Sequence, residues 1–89
     1  MGKTRPCVIV SLDSLNSNLP TVVVCPLTSV PRPRWRTRLG ITFNGRPADI
    51  CAEQIRVIGK NRLQRKIGTL SPKEAEALHE LLGEMYGAK

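Results

Sequence analysis

Aromatic residues are almost absent from this chain of 89 residues, which contains one Trp, one Tyr and one Phe. Its core must therefore be built from Val, Ile and Leu, and this favours β-structure over a large helical bundle. A second core is excluded by the length, because it would not bury enough surface to offset the entropy of ordering its residues. We therefore expect a single domain over residues 1–89.

Acidic residues are also scarce, since seven Asp and Glu stand against fourteen Lys and Arg and leave a formal net charge of +7. The shortage is greatest in residues 32–66, where ten basic residues face only Asp49 and Glu53. An excess of positive charge attracts polyanions, and nucleic acid is the first candidate partner. The alternative is that these Arg and Lys side chains only keep the surface soluble.

The few cysteines form no recognisable zinc module, because Cys7, Cys25 and Cys51 lie far apart in apolar stretches. Their odd number argues against a secreted disulfide framework and favours free thiols in a reducing cytoplasm. No apolar run approaches the ~20 residues that a membrane-spanning helix needs. We therefore expect a cytoplasmic protein that does not enter the membrane.

Candidate metal ligands are similarly sparse. The acidic residues Asp13, Asp49 and Glu53 are too scattered to suggest a magnesium site. The single histidine, His79, falls within a predicted helix and away from every other motif, which favours a solvated helix residue over an acid–base catalyst. We expect neither a metal nor a cofactor.

Two β-branched runs, residues 6–11 and 21–27, predict buried antiparallel strands joined by a polar loop over residues 13–18. Further strands are predicted over residues 38–43, 49–58 and 66–70, with a turn at 44–47 and a single helical turn or a tight connection at 60–63. Ser71, Pro72 and Glu74 form a capping box that starts a helix. This helix is predicted to end at Gly87. The apolar stripe of the helix consists of Leu78, Leu81, Leu82 and Met85. We expect a small curved antiparallel sheet or barrel whose open side the helix covers.

Residues 31–38, PRPRWRTR, place arginine at every second position. If this segment is extended, its arginines project from one face and can grip a phosphate backbone, while Trp35 stacks on a base. The candidate RNA-binding residues of this segment are Arg32, Arg34, Trp35, Arg36 and Arg38. The alternative is that Pro and Arg protect an edge strand from aggregation and that Trp35 only packs.

Four motifs stand out along the chain. They are GKTRPCVIVS at residues 2–11, CPLTS at 25–29, AEQIR at 52–56, and a tail in which NRL at 61–63 leads through IGTLS at 67–71 into the helix. Their order and spacing resemble the MazF/PemK family of bacterial toxins. The resemblance implies an SH3-like antiparallel barrel with a C-terminal helix, shared with the CcdB toxins. It also implies a symmetric homodimer that cleaves single-stranded RNA at short sequences and is silenced by a MazE-like acidic antitoxin.

By position, the resemblance makes Arg5 and Thr28 the catalytic pair and makes Ser29 and Gln54 residues that hold RNA. The implied reaction is metal-independent attack by the ribose 2′-hydroxyl, giving 2′,3′-cyclic phosphate and 5′-hydroxyl ends. A guanidinium suits the stabilisation of phosphorane charge, and its persistent proton makes it a poor general base. A Thr28 hydroxyl can donate to a phosphate oxygen or orient the nucleophile. Alternatively, Gln54 is a buried residue that satisfies strand backbone.

Family members normally carry another strand and loop before the position of Gly2, and this chain starts almost at the second strand. An alternative function is therefore a weakened or inactive short form that only binds RNA or an antitoxin. A third possibility, a CcdB-like inhibitor of a protein such as gyrase, has no need for a phosphate-binding pair. The arginine-rich segment and the Arg5/Thr28 pair therefore count against it.

Overall fold

The computed structural model describes residues 5–87, so residues 2–4 of the first motif lie outside the described part. The chain is mainly β with a C-terminal helix, as predicted. Its strands are β1 (Cys7–Ile9), β2 (Thr21–Thr28), β3 (Arg38–Phe43), β4 (Arg46–Cys51) and β5 (Arg56–Gly59). Its helices are α1 (Asp13–Asn18) and α2 (Pro72–Tyr86), and 3-10 turns occupy Ala52–Gln54 and Lys60–Arg62.

Strand β2 is the centre of an antiparallel sheet that curls into a half-barrel. One edge of β2 pairs with β1, while its other edge pairs first with β5, over Thr21 to Val24, and then with β4, at Leu27 and Thr28. Strand β3 pairs with β4. Pro26 lies where β2 changes partner from β5 to β4, so its missing N–H costs no ladder hydrogen bond.

The β3–β4 hairpin turns at two residues, Asn44 and Gly45, whose φ angles are 53° and 76°. Positive φ at both central positions is typical of the two-residue turn that matches the twist of a hairpin. The predicted turn at 44–47 is therefore too long, because Arg46 and Pro47 already belong to β4. The predicted strand over 49–58 is interrupted by the 3-10 turn, which allows β4 and β5 to pair with different halves of β2.

Three further predictions about local structure were wrong. The 13–18 loop is the short helix α1, in which Ser17 and Asn18 side chains donate to carbonyls one turn back, at 3.0 and 2.9 Å. Residues 66–70 form no strand, because they pair with no strand in the described chain and only Leu70 packs against the core. The first strand is shorter than predicted and only partly buried, with Ile9 44% exposed, because it pairs with β2 alone.

The predicted capping box of α2 is confirmed. The Glu74 N–H donates to Ser71 Oγ at 3.1 Å, and the Ser71 N–H donates to the Glu74 carboxylate at 2.9 Å. Leu78 is buried against Cys25, Leu27 and Ile50, and the partly buried Leu82 packs beside it. The helix thus closes one face of the sheet and leaves the other face free to form a site.

Candidate active site

The antiparallel register brings the two predicted catalytic residues together. Cys7 pairs with Pro26 and Val8 with Cys25, and the Leu27 N–H donates to the Pro6 carbonyl oxygen at 3.1 Å. Continued to the residues before β1, the same register places Arg5 opposite Thr28. Directly opposed residues of antiparallel strands project from the same face, with Cβ atoms typically about 5 Å apart. A guanidinium and a hydroxyl that are 23 positions apart in the sequence therefore share one patch of sheet.

Both side chains line a cleft of about 360 Å³, which we call the Arg5 cleft. Its lining residues are Arg5, Pro26, Leu27, Thr28, Arg38, Cys51, Gln54 and Arg56. Three guanidinium groups and no carboxylate line this cleft, so its field attracts anions. Arg5 and Arg56 are exposed, and neither forms an ion pair with any residue of the 5–87 range.

The Thr28 hydroxyl has a defined orientation at the end of β2. Its Oγ1 accepts a hydrogen bond from the Val30 N–H at 3.2 Å. A hydroxyl that accepts in this way keeps its own proton available to a ligand. Thr28 can therefore donate to a phosphate oxygen in the Arg5 cleft, as its chemistry at the sequence level suggested.

Arg38 lines the Arg5 cleft, but its guanidinium is paired with carboxylates of the protein. Its side chain is only 8% exposed, and it donates to one Glu53 carboxylate oxygen from Nε at 2.9 Å and from Nη2 at 2.8 Å. A second carboxylate, that of Asp49, lies 3.8 Å from Nη1. Burial raises the pKa of Glu53, but its hydrogen bonds, led by those from Arg38, outweigh this and leave the pKa below its usual value. Arg38 is thus already neutralised by the protein itself.

The arginine-rich segment is not extended, so the prediction that its arginines share one face was wrong. The Trp35 N–H donates to the Arg32 carbonyl at 3.0 Å, and the chain turns at residues 33–34 and again at 36–37. Arg32, Arg34 and Arg36 are exposed, whereas Arg38 enters β3. The Trp35 ring is 48% exposed, with the Arg38 guanidinium 4.4 Å and the Arg32 guanidinium 5.9 Å from its centre.

A second depression, the Trp35 groove, has a volume of about 600 Å³. It is lined by Pro31, Arg32, Pro33, Trp35, Arg38, Gly40, Ile41, Thr42, Pro47, Ala48, Asp49 and Glu74. Arg38 is the one residue that lines both depressions, so it forms the wall between them. The predicted site residues therefore divide between two neighbouring depressions, while Ser29, Arg34 and Arg36 are exposed but line neither.

Gln54 is exposed in the Arg5 cleft, with its amide nitrogen 3.4 Å from a Glu53 carboxylate oxygen. The alternative of a buried Gln that satisfies strand backbone was therefore wrong. Arg56, which the sequence analysis did not assign to the site, also lines the Arg5 cleft. It pairs with Val24 in the β2–β5 register and so shares a face with Thr28, four residues further along β2. Period-two alternation places Val24 and Thr28 on one face of β2, but the β2–β5 register that brings Arg56 to that face has no local sequence signal.

The remaining sequence candidates lie outside this site. His79 is exposed on α2 and lines neither depression. Within residues 5–87 no group of three or more His, Cys, Asp or Glu side chains is arranged to hold a metal ion. None of the helices in that range has both the length and the apolar character needed to cross a membrane.

A curled antiparallel half-barrel, closed on one face by a C-terminal helix and carrying an arginine-lined cleft on its sheet, defines the class of this protein. The family model of the PemK-like, MazF-like toxins of type II toxin–antitoxin systems matches residues 1–86. The chain is 33% identical over 91 residues to the endoribonuclease MazF of Staphylococcus saprophyticus, covering 97% of this chain and 76% of that protein.

Solved structures give the same result. The Mycobacterium tuberculosis toxin MazF-mt6 superposes with a TM-score of 0.83 at 25% identity, over 96% of this chain and 88% of that chain. A second structure, an Mtb toxin, superposes with a TM-score of 0.82 at 26% identity, over 92% of each chain. The chain belongs to the PemK/MazF toxin family, and the predicted family and fold are confirmed.

Proposed function

We propose that this toxin is a sequence-specific endoribonuclease that cleaves single-stranded RNA without a metal. The observation that carries the proposal is that Arg5 and Thr28 line the same cleft, which is lined by further arginines and by no carboxylate. The endoribonuclease named among its relatives covers nearly the whole chain and supports the same activity.

In the proposed reaction the ribose 2′-oxygen attacks the adjacent phosphorus and loses its proton, and the bond from phosphorus to the 5′-oxygen breaks. The departing 5′-oxygen takes up a proton, so the products carry a 2′,3′-cyclic phosphate and a 5′-hydroxyl. No water is consumed in this step. Arg5 stabilises the negative charge that develops on the phosphorane, and Thr28 donates a hydrogen bond to a nonbridging oxygen.

Gln54 and Arg56 hold the strand on the far side of the Arg5 cleft, Gln54 through its amide and Arg56 through a phosphate. Ser29, Arg32, Arg34, Trp35 and Arg36 contact the RNA outside this cleft. Arg38 contributes as part of the wall rather than as a free phosphate ligand, because Glu53 already pairs with it. The strand must be single, since its bases have to leave the stack to reach Trp35.

The same cleft explains how a partner silences the toxin. A flexible acidic segment of a MazE-like antitoxin lies along the arginine-lined surface and excludes RNA, and opposite charge speeds the encounter. We further propose that the toxin acts as a homodimer in the cytoplasm, where its RNA substrate is found.

Cleavage of a single-stranded RNA pool in the presence of EDTA tests the proposal. We expect Arg5→Ala to lower the cleavage rate about 10²–10³-fold, the loss typical of removing one donor that stabilises transition-state charge. Arg65→Ala is the matched control, because Arg65 is exposed, lines neither depression and carries the same charge. Intact RNA after prolonged incubation with the wild type, despite salt-sensitive binding, would instead establish a binding module without turnover.

A further inference from the structure

Two carboxylates beside the Arg5 cleft take no part in the proposed chemistry. Asp49 is the only charged residue among those described that is buried, with 3% of its surface exposed. It pairs with Thr28 in the β2–β4 register and with Gly40 in the β3–β4 register. Thr28 and Asp49 are therefore direct neighbours across β2 and β4, and the β1–β2 register, continued to the residues before β1, places Arg5 on the other side of Thr28. Burying a carboxylate in such a place requires partners that satisfy it.

The partners of Asp49 belong to the arginine-rich loop, residues 31–37. Its Oδ2 accepts the backbone N–H of Arg32 at 2.7 Å, at the beginning of the loop, and lies 3.8 Å from Arg38 Nη1, just beyond its end. One buried oxygen therefore ties both ends of the loop to the strand that flanks Thr28. Charge-assisted hydrogen bonds of this kind are shorter and stronger than neutral ones.

Glu53 holds the same loop from the other side. Its Oε2 accepts from Arg38 Nε and Nη2, and the amide nitrogen of Gln54 lies 3.4 Å from the same oxygen. Gln54 and Arg38 both line the Arg5 cleft. Glu53 thus connects two wall residues of the cleft from behind, without lining it.

The connection extends to the only tryptophan of the chain. The Arg38 guanidinium lies 4.4 Å from the centre of the Trp35 ring, a distance at which a cation and an aromatic face attract each other. Because Glu53 and Asp49 fix Arg38, they also fix the ring that stacks on it. Trp35 is about half exposed, so the residue retains free surface for a base.

We propose that Glu53 is a positioning residue that, with Asp49, holds Trp35 at a set distance from the Arg5/Thr28 pair, so that Trp35 selects an unpaired base next to the cleaved phosphate. This inference rests on the proposed ribonuclease activity, because the base is defined by its position next to the cleaved phosphate. It assigns the recognition of one flanking base to an ion-paired network rather than to the free arginines of the loop.

Substrates with one ribonucleotide in a DNA strand test this directly, since the 2′-hydroxyl confines cleavage to that position. For each nucleotide that flanks the cleaved phosphate, two versions of the best-cleaved sequence are compared. One version keeps the base of that nucleotide, and the other lacks it. We expect the wild type to prefer the intact version by roughly 10- to 100-fold at one flank, as one base–aromatic stack provides. Trp35→Ala and Glu53→Gln should reduce this ratio to about 2.

Three comparisons separate positioning through Arg38 from catalysis and from general stability. Arg5→Ala should slow both substrates while leaving their ratio intact, because it acts at the phosphate. Glu80→Gln, the same chemical change on an exposed residue of α2, should leave the ratio at the wild-type value. Adding Glu53→Gln to Arg38→Gln should cause no further loss if Glu53 acts through Arg38.

Trp35 fluorescence provides a readout that needs no cleavage. In the free protein, Glu53→Gln should increase acrylamide quenching relative to both wild type and Glu80→Gln, because the released loop exposes the ring further. The ratio of binding affinities for all-deoxy strands with and without the base can also be measured. This ratio tests the proposal even if the protein has no nuclease activity. If Glu53→Gln does not fold, Glu53→Asp, which keeps the charge but shortens the side chain, takes its place.

The proposal is overturned if the wild type binds and cleaves both substrates equally at each flank. It is equally overturned if a folded Glu53 variant keeps the full wild-type ratio and quenching, since the network then only stabilises the fold.

Discussion

Arg56 provides a quantitative test of the arginine-lined surface. Five exposed arginines of the Arg5 cleft and the arginine-rich loop, Arg5, Arg32, Arg34, Arg36 and Arg56, are free to meet phosphates, whereas Arg38 is paired with Glu53. Each phosphate contact to a single strand contributes about −0.7 to the slope of log K against log salt. If all five make contact, the slope is about −3.5, and affinity falls roughly 100-fold between 50 and 200 mM salt.

Replacing Arg56 with Ala removes one of these contacts and should bring the slope to about −2.8. The assay is fluorescence anisotropy of a labelled all-deoxy strand, titrated at several salt concentrations so that no cleavage interferes. Arg65→Ala, which removes the same charge outside both depressions and outside the arginine-rich loop, should change the slope much less.

A slope for Arg56→Ala equal to that of the wild type would refute the placement of Arg56 on the RNA path. An equally large change for Arg65→Ala would refute the reasoning in another way, because the salt dependence would then reflect net charge rather than a defined surface.

Three further outcomes follow from the fold. Because hydrogen bonds led by those from Arg38 leave the pKa of Glu53 below its usual value, the ion pair stabilises the folded state at neutral pH and this contribution is lost as pH falls through the folded pKa. Urea unfolding from pH 7 to the acid range should therefore show a larger loss of stability for the wild type than for Glu53→Gln. Burial, with smaller contributions from neighbouring acidic groups, raises the pKa of Cys25 to about 11, so a thiol reagent at pH 7 should modify this residue only after denaturation. Gly45→Ala should lower the free energy of unfolding by about 1 kcal/mol, because Gly45 has a φ of 76° and an L-residue is strained there; an unchanged urea midpoint would contradict this.

The sequence predicted those elements whose signals are local. The capping box of α2 and the central strand β2 follow from short-range patterns, and both occur close to their predicted positions. The strand predicted at residues 66–70 was wrong because a strand exists only if another strand pairs with it, and no local pattern reveals that partner. Helix α1 was missed because its polar residues are typical of loops, yet their side chains bond to its own carbonyls.

The same difference between local signals and long-range contacts applies to the site. Arg5 and Thr28 were identified by resemblance, and their meeting is a consequence of the β1–β2 register. The pairing of Arg38 with Glu53 was not predictable, since it depends on a turn in residues 31–37 that ends the alternation of arginines. A spacing of two predicts a shared face only in an extended chain.

The central claim is that Arg5 and Thr28 together promote attack by the 2′-hydroxyl. It is tested most directly by mass spectrometry of the fragments from a single-stranded RNA and from the same strand with one 2′-deoxy residue at the cleaved position. We expect a 2′,3′-cyclic phosphate and a 5′-hydroxyl from the RNA, and no cut at the deoxy position. A cut at that position, or fragments that end in 3′-hydroxyl and 5′-phosphate groups, would contradict the account.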